Sequence, residues 1–298
     1  MEEKILRFSL IIPCRNCAGY IVRCLASIAK QTEFDLERSE VLFVDDGSTD
    51  NSGEIAERFG EDLPNFRLLR TGAKAGSGCG GARNFALAEA KGEYVWYIDC
   101  DDYLAPNALA KINAAISSAK EKDGNDPDVC VFSFSTLRPP SSRRRSGVSN
   151  PPHGDIKQLA FGPVAAWAQV IRREKCILFP PRVMAEDLSW HYAQFDRFDS
   201  FAATEGEEPL YFYDRTNANA ITDTLEWCAD NPRTLEQLAY SGELQKDGRN
   251  DRWPSDFLRG TAEMYDVRHV LTKPWVREAW ALRFRALCSN LMTGRYIH

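Results

Sequence analysis

The feature that most constrains this chain is a regular alternation over its first 135 residues, where short apolar runs take turns with amphipathic helical patterns. Phe8–Ile12, Val41–Val44, Phe66–Leu69, Tyr94–Ile98 and Val129–Phe134 are apolar runs of strand length. Between them Ile21, Leu25 and Ile28 fall on one helical face, Ile55 and Phe59 on another, and Leu109, Ile112 and Ile116 on a third. A glycine-rich segment leads into an alanine-rich helix through Lys91, and Pro106 can open the helix after the fourth run. Strands that are apolar throughout must be covered on both faces. The expectation is an α/β fold with a mostly parallel central sheet flanked by helices.

After residue 137 the alternation stops. Arg138–Gly154 is rich in proline and serine, carries Arg143-Arg144-Arg145, and reads as an exposed loop. Helix signals resume over Val164–Arg173 and Glu186–Phe198, and Leu210–Tyr213 reads as one more strand. From about Leu225 the pattern is helical. Near the end, Trp280, Phe284, Leu287 and Leu291 form a stripe flanked by Arg277, Arg283 and Arg285. A basic amphipathic helix can lie on an anionic membrane surface. A stripe of this kind is more often a core face, and packing on the protein's own core is the reading adopted.

The net charge of -6 argues against a nucleic-acid partner, since neutralising phosphates takes a basic surface. No run approaches the 18 apolar residues of a membrane span. Met1-Glu2-Glu3-Lys4 lacks a signal-peptide layout, so the first strand is expected in the mature fold. The nine cysteines are odd in number and scattered, which points to reduced thiols and a cytoplasmic location. Cys14 and Cys17 form a C-x-x-C, but a zinc site needs further ligands, and the histidines at 153, 191, 269 and 298 do not supply a matching pair.

Open α/β sheets bind ligands beyond the carboxyl ends of their strands. Pro13-Cys14-Arg15-Asn16 follows the first run, Asp45-Asp46-Gly47-Ser48-Thr49-Asp50 the second, and Asp99-Cys100-Asp101-Asp102 the fourth. Either aspartate group alone reads as a turn or a helix cap. These six carboxylates at the ends of two strands repel one another unless a cation sits among them, and oxygen ligands suit a hard divalent ion. Gly76, Gly78 and Gly81 also satisfy G-x-G-x-x-G, the dinucleotide fingerprint, with Asp99 downstream. That fingerprint belongs immediately after the first strand, and here it follows the third with Thr71–Ala75 intervening.

The ordered set Pro-x-x-Asn, Val-Asp-Asp-Gly-Ser-Thr-Asp, Gly-x-x-x-Ala-Arg-Asn and Gly-Glu-Tyr-x-x-x-Ile-Asp-x-Asp-Asp resembles the family 2 inverting glycosyltransferases of the GT-A fold. The likeness runs from Phe8 to Thr222. Trp167 ahead of Arg172-Arg173, then Phe179-Pro180, then Glu186-Asp187, is similar to that family's acceptor half. The resemblance implies a GT-A domain over residues 1–222, with a nucleotide-binding half (1–103) and an acceptor half (104–222), and a helical extension over 223–298. It implies that Asp46, with Asp45 beside it, binds the nucleotide base, usually uracil, in a pocket lined by Pro13, Cys14 and Asn16. Arg83 would lie near the phosphates, Asp99 near the ribose, and Asp101 with Asp102 would hold Mn²⁺ or Mg²⁺. Asp187 would be the catalytic base, with Glu186 placing acceptor or sugar.

The implied reaction moves a sugar from a nucleotide-diphosphate donor, usually UDP-linked, to a glycan or lipid-linked hydroxyl. Arg15 stands where many relatives have tyrosine, which loosens the uridine expectation. His191, one turn past Asp187, could assist there, although a helical histidine is more often structural. Three other readings stay open: a nucleotidyltransferase of related fold, a non-catalytic nucleotide-sugar binding protein, and a dinucleotide-binding oxidoreductase. Surface-glycan synthesis, and a place at the inner face of the membrane, are family-level expectations.

Overall fold

The structure is a computed structural model that describes residues 5–72, 78–140, 146–151, 155–180, 186–216 and 271–293; the side chains of 186, 188, 189 and 284–293 are outside the description. Eleven strands and six α-helices occur in the described residues. The large sheet has seven strands: β1 (Phe8–Cys14), β2 (Ser39–Asp45), β3 (Phe66–Arg70), β4 (Tyr94–Tyr97), β6 (Val129–Val131), β9 (Gln169–Arg172) and β10 (Phe201–Ala203). Their spatial order is β10-β6-β9-β4-β1-β2-β3. All pairings are parallel except those of β9, which runs antiparallel to both β4 and β6. The second sheet has the order β5-β11-β7-β8, built from Tyr103–Leu104, Tyr211–Asp214, Phe134–Leu137 and Gly147–Ser149.

Alternate residues of each central strand enter opposite cores, as a pleated strand requires. Phe8, Leu10, Ile12, Val41, Phe43, Tyr94 and Trp96 face one side, where α1 (Ile21–Ala29), α2 (Ser52–Gly60) and α4 (Ala108–Asp123) pack. The expected faces Ile21/Leu25/Ile28 and Leu109/Ile112/Ile116 are all fully buried there. Ile11, Leu42, Val44, Val95 and Tyr97 face the other side, beneath α3 (Gly78–Leu87), α5 (Glu186–Phe195) and the first half of α6 (Pro274–Thr293).

Two sequence expectations need correction. Val164–Arg173 is a short 3-10 turn leading into strand β9, because Val170 and Ile171 fill the gap between β4 and β6. The fifth apolar run is two strands: β6 stays in the large sheet, and the chain leaves at Phe132-Ser133 so that β7 can pair with β11. Within Arg138–Gly154, Gly147–Ser149 forms the exposed edge strand β8, while 141–145 and 152–154 are outside the described residues.

In α6, Val276 and Ala279 are buried and Trp280 is partly buried against the same core as α5, as the core-face reading expected. The rest of its stripe, Phe284, Leu287 and Leu291, falls among side chains outside the description, as does the whole of 217–270. Among the described residues no helix is long and apolar enough to cross a membrane.

Candidate active site

The strand ends that carry the aspartates meet on one edge. Asp46 N–H donates to the Cys14 carbonyl (2.9 Å), which binds the β2 turn to the end of β1. Asp45 accepts from Ser48 N–H at 2.8 Å and closes that turn; a Cβ on Gly53 would come within 2.8 Å of its other oxygen, so a larger residue there would push the Asp45 carboxylate aside. Asn16, at φ 55°, accepts from Thr49 N–H (2.8 Å) and donates its own N–H to Ser48 Oγ (3.1 Å). Its asparagine is thereby explained locally, since that residue tolerates the left-handed region. Asp50 accepts from Ser52 N–H (3.0 Å) in a turn ahead of α2, whose N-cap is Asn51 and not Asp50. Asp46 is buried and accepts from Thr71 Oγ1 (3.0 Å) and Gly78 N–H (3.2 Å), one residue on each side of segment 73–77, which is outside the described residues. Pro13 and Cys14 are buried in β1.

Along Asp99–Asp102 burial alternates: Asp99 and Asp101 are half-buried, Cys100 and Asp102 buried. Asp102 accepts from Tyr211 O–H (2.5 Å) and Asp214 N–H (2.7 Å), so both of its oxygens face the second sheet. Burial pushes its carboxyl well up, and the charges of Asp101 and Asp99 push it further. The structure thus sets Asp102 apart from the metal role expected for it. Asp101 remains the carboxylate next to Asp99 on the outer side, with its carbonyl held by Arg23 Nη2 (2.6 Å). Arg23 also pairs with Asp214, which closes a ring of contacts under this turn.

Arg83 joins the two halves of the site. Its side chain is only 3% exposed; Nη2 donates to Asp99 (2.8 Å) and Nη1 to Asp187 (3.1 Å). The guanidinium lies over the Phe179 ring, 5.2 Å from its centre, and that ring stacks on Trp190 of α5. Asn84, next in α3, makes two 2.8 Å bonds to the Phe179 backbone and fastens the segment before α5. Asp187 also accepts from Ala166 N–H at 3.3 Å. Burial raises the Asp187 carboxyl, with Arg83 pulling against it and Asp99 reinforcing it. Glu186 opens α5, and its side chain is outside the description. His191 is buried against Phe195 and Tyr192, and burial lowers it to about 3. It is a neutral core residue, the structural reading of it.

Sequence reasoning missed Tyr211, Asp214 and Arg23, which hold the β4 turn. Tyr211 lies 109 residues beyond Asp102, and no local pattern ties them. It also missed that Cys100 joins Cys14 and Cys17, whose sulfurs all lie within 4.8 Å of one another. Thiol hydrogen bonds from Cys100 and Cys17, outweighing burial, hold the Cys14 thiol below its ordinary value.

Comparison with known proteins agrees with this geometry. Residues 9–154 match the model of glycosyl transferase family 2. That stretch of the chain is similar to family 2 glycosyl transferases. It runs from β1 through β4 and carries Asp46, Arg83 and Asp99. The glycosyltransferase EpsJ of Bacillus subtilis (strain 168) is 28% identical over 236 residues, 72% of this chain and 62% of EpsJ. Stretches matched in the curated relatives cover from 10% to 62% of those proteins' own length. Beyond residues 9–154 too, the described residues share the fold of solved GT-A glycosyltransferases. S. aureus TarS 1-349, solved with UDP-GlcNAc, superposes with a TM-score of 0.60 at 18% identity, covering 98% of this chain and 93% of that one. Mannosyltransferase PcManGT from Pyrobaculum calidifontis, solved with GDP-Man and Mn²⁺, gives 0.51 at 21% identity, covering 96% and 76%.

Proposed function

We propose that this chain transfers a sugar from a nucleotide-diphosphate donor to a hydroxyl acceptor, with inversion at the anomeric carbon and a divalent metal at the β4 turn. The observation that carries the reading is the Arg83 clamp, which couples Asp99 of the nucleotide half to Asp187 of the acceptor half through one buried cation. TarS and PcManGT, captured with UDP-GlcNAc and GDP-Man, support a nucleotide-sugar donor.

The donor set fits a hard cation. Asp99 and Asp101 are half-buried carboxylates two residues apart whose charges already raise Asp102, and oxygen ligands suit Mg²⁺ or Mn²⁺. Asp101 would hold the ion, with Asp99 at the ribose and Asp102 orienting the turn from beneath. Bound there, the ion would neutralise charge developing on the departing diphosphate. Arg83 would add a fixed positive charge on the same side and would keep Asp187 ionised against its burial. Asp187 would take the acceptor hydroxyl proton as that oxygen attacks. One base on the face opposite the leaving group gives inversion. Asp46 and the end of β1 would receive the nucleotide base. A surface glycan or lipid-linked acceptor follows from the family likeness.

Thermal unfolding tests the donor site. UDP with Mn²⁺ should raise the midpoint, by about 2.7 kcal/mol of stabilisation at 100 times the dissociation constant. The shift should vanish with EDTA and in Asp101→Ala. A shift given by NAD and not by UDP would refute the reading and restore the dinucleotide one. Pyrophosphate release from a nucleoside triphosphate would favour the nucleotidyltransferase instead.

A further inference from the structure

The transfer reading sets the C-x-x-C at the end of β1 beside the nucleotide base and gives its thiols no chemical step, yet the fold supplies them with a third thiol. Cys14 ends β1, Cys17 stands before α1, and Cys100 sits in the β4 turn, 83 residues further on. Their sulfurs all lie within 4.8 Å of one another. Asn16, at φ 55°, turns the chain between the first two, and Ser52 Oγ accepts from Cys17 N–H (2.9 Å), which fixes the turn. Cys14 and Cys100 are buried, while Cys17 is half-buried and gives the cluster an opening to solvent.

We infer that Cys14, Cys17 and Cys100 form a three-thiolate binding site for Zn²⁺, separate from the carboxylate site for Mg²⁺ or Mn²⁺. Tetrahedral zinc with Zn–S bonds of about 2.3 Å places its sulfurs roughly 3.8 Å apart, which these thiols reach by small side-chain rotations. Soft thiolates select zinc over the hard ions that the aspartates suit. Each ligating thiol gives up its proton to solvent as the metal enters, and the fourth position takes a water through the opening at Cys17. Nearby Asp45 and Asp99 add negative potential at these sulfurs. The bound ion would cross-link the β1 and β4 turns, the two strand ends that the transfer reading gives to the donor.

The test uses the full chain, reduced and stripped of metal, with elemental analysis and a competing chromophoric chelator. One equivalent of Zn²⁺ should bind and survive gel filtration. Cys17→Ser and Cys100→Ser should each weaken it by more than about 100-fold, beyond what losing a supporting group costs. Cys176→Ser and Asp101→Ala should leave it intact. A measurement on the unaltered chain avoids misfolded variants: Zn²⁺ should protect half-buried Cys17 from alkylation while exposed Cys79 still reacts, and Co²⁺ should give a thiolate charge-transfer band. Reduced protein that takes up no zinc, or uptake that Cys17→Ser leaves unchanged, overturns the inference. So does a Cys14–Cys17 disulfide whose reduction restores no binding. Metal content is read without donor or acceptor, so failure here and failure of the transfer reading are separate results.

Discussion

Removing the Arg83 guanidinium should both destabilise the protein and change how its stability depends on pH. In Arg83→Met, Asp99 and Asp187 would face each other across the space the cation occupied. Breaking a buried ion pair by removing one partner costs roughly 3–5 kcal/mol. Arg83 is 3% exposed but its partners keep 30% and 25% of their side-chain surface, so water recovers part of the loss. The lower end, about 3 kcal/mol, is the working figure. For a domain of this size it lowers the melting midpoint by roughly 6–12 °C. Arg83→Lys keeps the charge but has no planar fork to reach two carboxylates, so it should recover only about half of that.

The pH dependence separates this from a simple packing defect. The Asp187 carboxyl is already raised by burial, with Arg83 pulling it down, so without Arg83 it should rise further. An acid whose folded value lies above its unfolded one takes up a proton on folding, and stability then falls as pH rises between the two values. The deficit of Arg83→Met should be largest near about pH 8 and should narrow as pH falls through the raised Asp187 value. Differential scanning calorimetry at several pH values reads this directly. A deficit under about 2 °C, or one that is the same at every pH, would refute the clamp.

The remaining predictions concern residues on either side of that clamp. Asp187→Asn should lower turnover by about 10²–10⁴-fold while the UDP–Mn²⁺ thermal shift survives; near-normal turnover rejects the base assignment. Tyr211→Phe removes the donor to Asp102 and the acceptor of Asp99 N–H, at about 1–3 kcal/mol, and should weaken the metal-dependent UDP shift. Asp196 accepts from Thr272 N–H, Thr272 Oγ1 and Lys273 N–H just before α6, and these bonds outweigh burial to hold its carboxyl below the usual range. That depressed value gives stability present above the unfolded carboxyl range and lost as pH falls through the folded one. Asp196→Ala should cost about 1 kcal/mol at neutral pH and speed amide exchange in residues 274–283.

Strand runs and helix faces were legible because each is local. A buried strand must be apolar throughout, and an amphipathic helix must repeat on its own period, so Leu10 and Ile112 announce themselves. That Asp46 and Asp99 lie on one sheet edge was legible by one further rule, that parallel strands present their carboxyl ends to the same edge. β9 was not legible, since Gln169–Arg172 is a strand only because β4 and β6 leave a place between them. Nor was the split at Phe132-Ser133, which depends on β11 arriving from about 80 residues downstream. Family likeness named Arg83 and Asp187, but only the fold shows that they touch each other.

The β4 turn shows why a run of acids cannot be read as equivalent ligands. Asp99, Asp101 and Asp102 have the same chemistry, but burial along the turn alternates and gives them different surroundings. Asp99 and Asp101 keep contact with solvent, where a cation can reach them. Asp102 faces inward, and an ionised carboxylate there would be very costly without donors. Tyr211 and Asp214 N–H supply those donors, and Arg23 holds Asp214 and the Asp101 carbonyl in turn. The inward acid is therefore a fixture that sets where the outward ones point. The same alternation sends Cys100 inward toward Cys14 and Cys17, so the two metal proposals would place a hard cation on the outer side of this turn and a soft one beneath it.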